Sequence, residues 1–126
     1  MAYHVSKQRF GELVEQALAV VPEPFATYLE EVAIEVQDRP TSKQLKDAAL
    51  GADDQLLGLY VGQPLTERSV LQAVRLPDVI LIFQRGIELI SASEEDLVRE
   101  IRTTVLHEIG HHFGMSEGDL DDLGYG

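Results

Sequence analysis

The sequence predicts an α+β domain in which a small β-sheet packs against helices. Two kinds of pattern carry that prediction. Apolar residues recur at helical spacing over 6–21 and 93–114, and short β-branched or apolar runs occupy 32–38, 56–62 and 78–84. Internal repeats and low-complexity segments are absent. A length of 126 residues sets the expectation at one domain, residues 1–126, with a core that is stable without staples.

The elements follow in chain order. The first helix starts at the cap residue Ser6 and carries Phe10, Leu13, Val14, Ala17, Leu18 and Val21 before Pro22 and Pro24 end it. A second, short helix starts on a proline in "PFATYLEEV" (24–32). "VAIEVQD" (32–38) alternates and is β-branched, so it reads as a strand stopped by Pro40. Residues 41–55 are polar and contain glycine, which predicts a loop with one helical turn. In "LLGLYVG" (56–62), Leu57, Leu59 and Val61 oppose Gly58, Tyr60 and Gly62, giving a strand with one thin face. Placed at a sheet edge, that strand would admit an extended peptide as a further strand. "QPLTERS" (63–69) connects it onward. "DVILIFQ" (78–84) is continuously apolar, as expected of a strand covered on both faces. Gly86 and "IELIS" predict a turn and a short strand.

The strongest signal is a long helix over "SEEDLVREIRTTVLHEIGHHFG" (93–114). Ser93 caps it, three acids in its first turn favour the positive end of the helix, and Gly114 stops it.

Composition narrows the chemistry. The chain has no cysteine, so a metal could be held only by nitrogen and oxygen donors. Neither a signal peptide nor a membrane span is legible in the sequence, and a cytoplasmic protein is expected. With 10 basic against 22 acidic residues the net charge is −12. Such a surface repels nucleic-acid phosphates and anionic lipid heads, so neither partner is expected; cationic partners are mildly favoured.

Three of the four histidines lie within residues 107–112. At about 100° per residue, with His107 at zero, Leu97, Val98, Ile101, Val105, Leu106, Ile109 and Phe113 fall on an arc from roughly 80° to 260°, the core face. His111 falls at about 40°, one turn beyond His107, so both imidazoles point together and away from the core. Asp96, Glu100, Thr103 and Thr104 share their stripe. His112, at about 140°, lies within the apolar arc and reads as a packed or boundary residue.

Histidines at i and i+4 can set two nitrogens about 2.0–2.1 Å from one zinc ion. Glu108, about 100° around the helix, can address a water there without being forced onto the metal, which assigns it the role of general base. A catalytic zinc takes three protein ligands. On a straight helix, residue 117 would lie about 9 Å beyond His111, out of reach. Gly114 can take the left-handed conformation that ends a helix and turns the chain back. Glu117 is then the third ligand, with Asp119, Asp121 and Asp122 as alternatives. Zinc is the expected metal, although manganese or iron would also accept two imidazoles and a carboxylate.

"HEIGHHFGMSE" resembles the zincin superfamily, with a spacing similar to the metzincin HExxHxxGxxH/D pattern. "GLYVGQPLTERS" (58–69), "PDVILIF" (77–83) and "TVLHEIGHHFGMSEGDLDDLGY" (104–125) resemble the small bacterial family of minimal zincin-like metallopeptidases. That resemblance implies a zincin-like fold, with a small mixed sheet against helices and HExxH on a long active-site helix. It also implies a zinc metallopeptidase acting on peptides or proteins, with His107 and His111 as ligands and Glu108 as catalytic base. The third-ligand position, often aspartate in the family, is Glu117 here. Met115 is not the downstream Met-turn of larger metzincins. Two rival readings remain: a non-catalytic zinc-binding module whose coordination Glu117 and an aspartate would close, and a metal-dependent nuclease, which the charge opposes.

The remaining polar residues have quieter readings. His4 is plain surface, and Glu100, about 10.5 Å up the axis from His107, belongs to a solvated face. Gly110 marks the close approach of another element. Thr103 or Thr104 would support the His107 imidazole. Tyr60 and Tyr125 are packing residues before they are oxyanion donors, and Arg68 is a structural ion-pair partner.

Overall fold

The computed structural model describes residues 2–51, 55–62 and 77–125. Among the described residues, the apolar run after Pro77 becomes the centre of a three-stranded sheet. Strand β1 (Val32–Gln37) pairs parallel with β3 (Asp78–Phe83), and β2 (Gly58–Val61) pairs antiparallel with β3. The sheet is therefore mixed, and among the described residues β1 and β2 form its two edges. The register sets Ile80 opposite Ile34 and Tyr60, and Ile82 opposite Val36 and Gly58. Ile80 and Ile82 are fully buried. On the other face Val79 and Leu81 are only partly buried, so the coverage expected on both sides is fuller on one.

Helix α1 (Lys7–Leu18) starts where the Ser6 hydroxyl accepts from the Arg9 N–H, and it buries Phe10, Leu13, Val14 and Ala17. The short α2 (Phe25–Leu29) follows Pro24 and buries Phe25. Residues 42–47 form α3 rather than a single turn. There Thr41 and Gln44 satisfy each other's backbone N–H groups in a capping box.

Residues 84–89 depart from the expected turn and short strand: they form helix α4 (Gln84–Leu89). Helical geometry puts Gln84, Ile87 and Glu88, all buried, on one side, which a strand's alternation would not do. Ile87 joins the core. Gln84 Nε2 donates to the Val5 carbonyl at 3.0 Å and to Glu88 at 3.2 Å, while Glu88 accepts from the Val5 N–H at 2.9 Å. Tertiary contacts thus override a β-branched local preference. Gly86 permits the arrangement, since a Cβ there would sit 2.9 Å from Leu57 Cδ2.

Helix α5 (Glu94–His112) is the long helix, with the predicted Ser93 cap. It lies against α1, α2 and the sheet, and Leu97, Ile101, Val105, Leu106 and Ile109 are fully buried. Arg102 ties it to α1 through a 2.8 Å bond to the Ala17 carbonyl. Helix α6 (Glu117–Leu123) was not expected from the sequence. No helix among the described residues is long and apolar enough to cross a membrane.

Candidate metal centre

The site is built at the last turn of α5. Gly114 takes φ +92°, as the sequence predicts. The Met115 N–H then reaches back to the Gly110 carbonyl at 2.8 Å and the Gly114 N–H to that of His111 at 3.1 Å. Those bonds satisfy the helix's last carbonyls and reverse the chain. Ser116 and Asp119 form a capping box that starts α6 at Glu117.

What fixes α6 against α5 is Leu120, fully buried. It lies over Gly110, where a Cβ would come within 2.5 Å of Leu120 Cδ2. The close approach expected at Gly110 is this one. With Leu120 seated, Glu117 is presented to the histidines. Its Oε1 lies 2.6 Å from His111 Nε2 and 3.4 Å from His107 Nε2. Donor atoms of His107, His111 and Glu117 all lie within 4.8 Å of one another.

The imidazole of His107 is oriented by its other nitrogen. Nδ1 lies 3.0 Å from the Tyr125 carbonyl. A carbonyl only accepts, so Nδ1 is the donor in this contact, and in the neutral imidazole Nε2 is the nitrogen left to hold a metal on the Glu117 side. Thr104, one of the two threonines expected to support this ring, is instead buried with its methyl against Gly58, where a Cβ would be 2.6 Å from Thr104 Cγ2. A main-chain oxygen has no residue type, so no pattern in the sequence announces it. The Tyr125 N–H donates to the Leu120 carbonyl at 2.8 Å, and the Tyr125 ring meets Phe25 edge-on at 5.4 Å.

Two nitrogens and a carboxylate oxygen, converging at the exposed end of a helix, suit a borderline metal such as zinc. The carboxylate of Asp119 is engaged differently, accepting the Ser116 N–H at 3.0 Å and held below its ordinary value by that backbone bond. Asp121 and Asp122 are exposed on α6 and stand outside the donor cluster.

Glu108 lies on the sheet side of the cluster, with its Cγ 3.7 Å from where a Cβ on Gly58 would be. Burial pushes its carboxyl up; the neighbouring histidines oppose this, and Glu117 adds to it. A groove of about 260 Å³ opens beside it between residues 56–58 and helix α5.

The other candidates have structural work. His112 stacks on Tyr60 at 3.8 Å between ring centroids, at the boundary as expected. The Tyr60 hydroxyl donates to Asp78 at 2.8 Å, and burial followed by that bond raises its pKa. His4 corrects the plain-surface reading, since its Nδ1 lies 3.1 Å from the buried Glu88 carboxylate. Arg68 lies outside the described residues.

The model of the zincin-like metallopeptidase family matches residues 29–126. This chain belongs to that family. The match runs from the end of α2 through α6, so it takes in the sheet, the HExxH helix and the segment carrying Glu117. Among solved structures, this zincin-like chain is similar to a conserved hypothetical protein from T. thermophilus, with a TM-score of 0.54 at 23% identity over 94% of this chain and 97% of that one. The likeness is one of fold. No curated protein matches.

Proposed function

We propose that this zincin-like protein is a zinc-dependent peptidase in which His107, His111 and Glu117 hold the metal and Glu108 is the general base. The observation that carries the reading is the convergence of the three donor sets within 4.8 Å, with Glu108 beside them at the mouth of a groove. A zinc ion held there would supply Lewis acidity toward a substrate carbonyl and toward water.

The chain's own residues do the rest. The Tyr125 carbonyl keeps the proton of His107 on Nδ1, so Nε2 is available as a donor. Glu108 takes a proton from the attacking water on its carboxylate and returns it to the departing amine. Its partial burial raises its proton affinity toward the range where both transfers are feasible. Strand β2 at the sheet edge gives an extended peptide a backbone to pair with beside the site.

A closed, purely structural zinc site would need a fourth protein ligand. Among the described residues the donor cluster holds three, which favours catalysis. The charge of −12 favours a peptide over a nucleic-acid substrate.

The test separates binding from turnover. Glu108→Gln should retain about one zinc per chain while peptide cleavage falls by roughly 10²–10⁴-fold. Full activity in that variant would remove Glu108 from the mechanism. A wild-type chain that binds no metal would end the reading altogether.

A further inference from the structure

We propose that the groove beside Glu108 receives a lysine or arginine side chain of the peptide substrate, and that Glu100 selects it. The inference rests on the peptidase reading and adds the substrate class.

The groove, of about 260 Å³, runs along α5 from Glu108 and His107 to Glu100. Binding sites for whole small molecules start at roughly 300 Å³, so this one matches a single long side chain. Its direction follows from contacts already described. Gly58 lies against Thr104 and Glu108 and Tyr60 against His112, so residues 56–60 run alongside the helix in the same sense. Leu56 and Leu57 therefore line the groove opposite the earlier turns of α5, where Thr103 and Glu100 stand.

Glu100 and His107 are seven positions apart, which is about 10.5 Å along the axis and nearly the same angular position. That distance equals about three residues of extended chain at 3.3 Å each. A residue within three positions of the cleaved bond, with a long side chain laid along the groove, brings its head group to Glu100. Lysine and arginine have the required form: an aliphatic stem for the leucine side and a cation for the carboxylate.

Glu100 is placed for that role. Its side chain is 28% exposed, and its ion pair with Arg99 is long, at 4.0 Å, while Arg99 also holds Asp96 at 2.6 Å. The partly solvated face that Glu100 occupies forms one wall of the groove, with Leu56 and Leu57 as the other. A net charge of −12 draws cationic peptides toward the same surface.

The experiment has two arms. In the first, the zinc-loaded chain digests a peptide library, and the cuts should be enriched in Lys or Arg at one position within three residues of the bond, on one side only. For a peptide pair differing as Lys against Gln there, the wild-type kcat/KM ratio should be of order tenfold. It should fall to about one in Glu100→Gln and below one in Glu100→Lys. In the second arm, zinc-loaded Glu108→Gln binds the same fluorescent peptides, with the Lys peptide roughly tenfold tighter, a difference lost when Glu100→Gln is added. Cleavage without the enrichment, or an enrichment that survives Glu100→Gln, overturns the pocket and leaves the peptidase reading intact. Glu100-dependent binding with no cleavage of any library peptide overturns the peptidase reading and leaves the cation pocket. Loss of both overturns both.

Discussion

His4 lies 3.1 Å from Glu88, and His111 lies 2.6 Å from Glu117. The two pairs have the same chemistry on paper and opposite surroundings. Glu88 is 1% exposed, and its carboxylate accepts from the Val5 N–H and from Gln84 as well as facing His4. Those bonds fasten residues 3–5 to α4, helped by the Tyr3 N–H on the Glu88 carbonyl. Glu117 is 64% exposed and meets two imidazole nitrogens, one of them on a ring whose far side a carbonyl already holds. A buried carboxylate whose oxygens are taken up by a backbone N–H and neighbouring side chains is an anchor. One whose oxygen converges with nitrogen lone pairs at an open surface can be a ligand.

The sharpest way to break this comparison is to exchange the readouts. His111→Ala should lower zinc affinity by more than the roughly 10–100-fold that supporting residues command, leaving the metal-free melting temperature nearly unchanged. Glu88→Ala should do the reverse. Leaving the Val5 N–H without its acceptor, and Gln84 with only the Val5 carbonyl, costs about 2–3 kcal/mol of stability, read by denaturant unfolding, while zinc titration stays as in wild type. A zinc affinity that fell in Glu88→Ala would show that the anchor and the site are coupled.

An intermediate effect is expected from Gly110→Ala. The added methyl meets Leu120 and must displace the side chain that seats α6. Zinc affinity should drop about tenfold, the scale of a lost supporting contact, although no ligand is altered. Helix propensity alone favours the alanine by about 1 kcal/mol, so a small change in melting temperature with a clear loss in calorimetric zinc binding is the expected signature.

The smallest effect is in pH. Burial alone would raise the Glu88 carboxyl, but the bonds from Val5, His4 and Gln84 outweigh it and leave the pKa lowered. Between the folded and unfolded values the unfolded chain binds more protons, so stability rises with pH there. The contribution is complete above the unfolded value of about 4.3 and is lost as pH falls through the lower folded one. The gap in melting temperature between wild type and Glu88→Gln should therefore hold steady above about pH 5 and narrow below about pH 4. A gap that widened on acidification would reverse the assigned sign.

Much of α5 was legible because its signals are local: Ser93 before three acids, apolar spacing from Leu97 to Ile109, and Gly114 at the stop. The direction of His107 and His111 follows from the same periodicity, and the turn at Gly114 makes Glu117 the natural partner. What was not legible depends on other parts of the chain. Residues 84–89 carry a strand-like pattern and become helical because Gln84 and Glu88 bind the Val5 backbone. Helix α6 had a usable cue in Ser116 and Asp119, hidden by reading the segment as a set of possible ligands. Tyr125 acts through its carbonyl, which every residue possesses. The place of Glu100 beside the groove depends on where 56–58 settles along α5.

Glu117 and the Tyr125 carbonyl belong to one short stretch, seated through Leu120 on Gly110. Metal affinity and the docking of that stretch are therefore linked equilibria. Whatever loosens Leu120 registers as weaker metal binding, and whatever fills the site slows the departure of α6. A chelator and a substitution at Gly110 should in that sense act on the same latch from opposite ends.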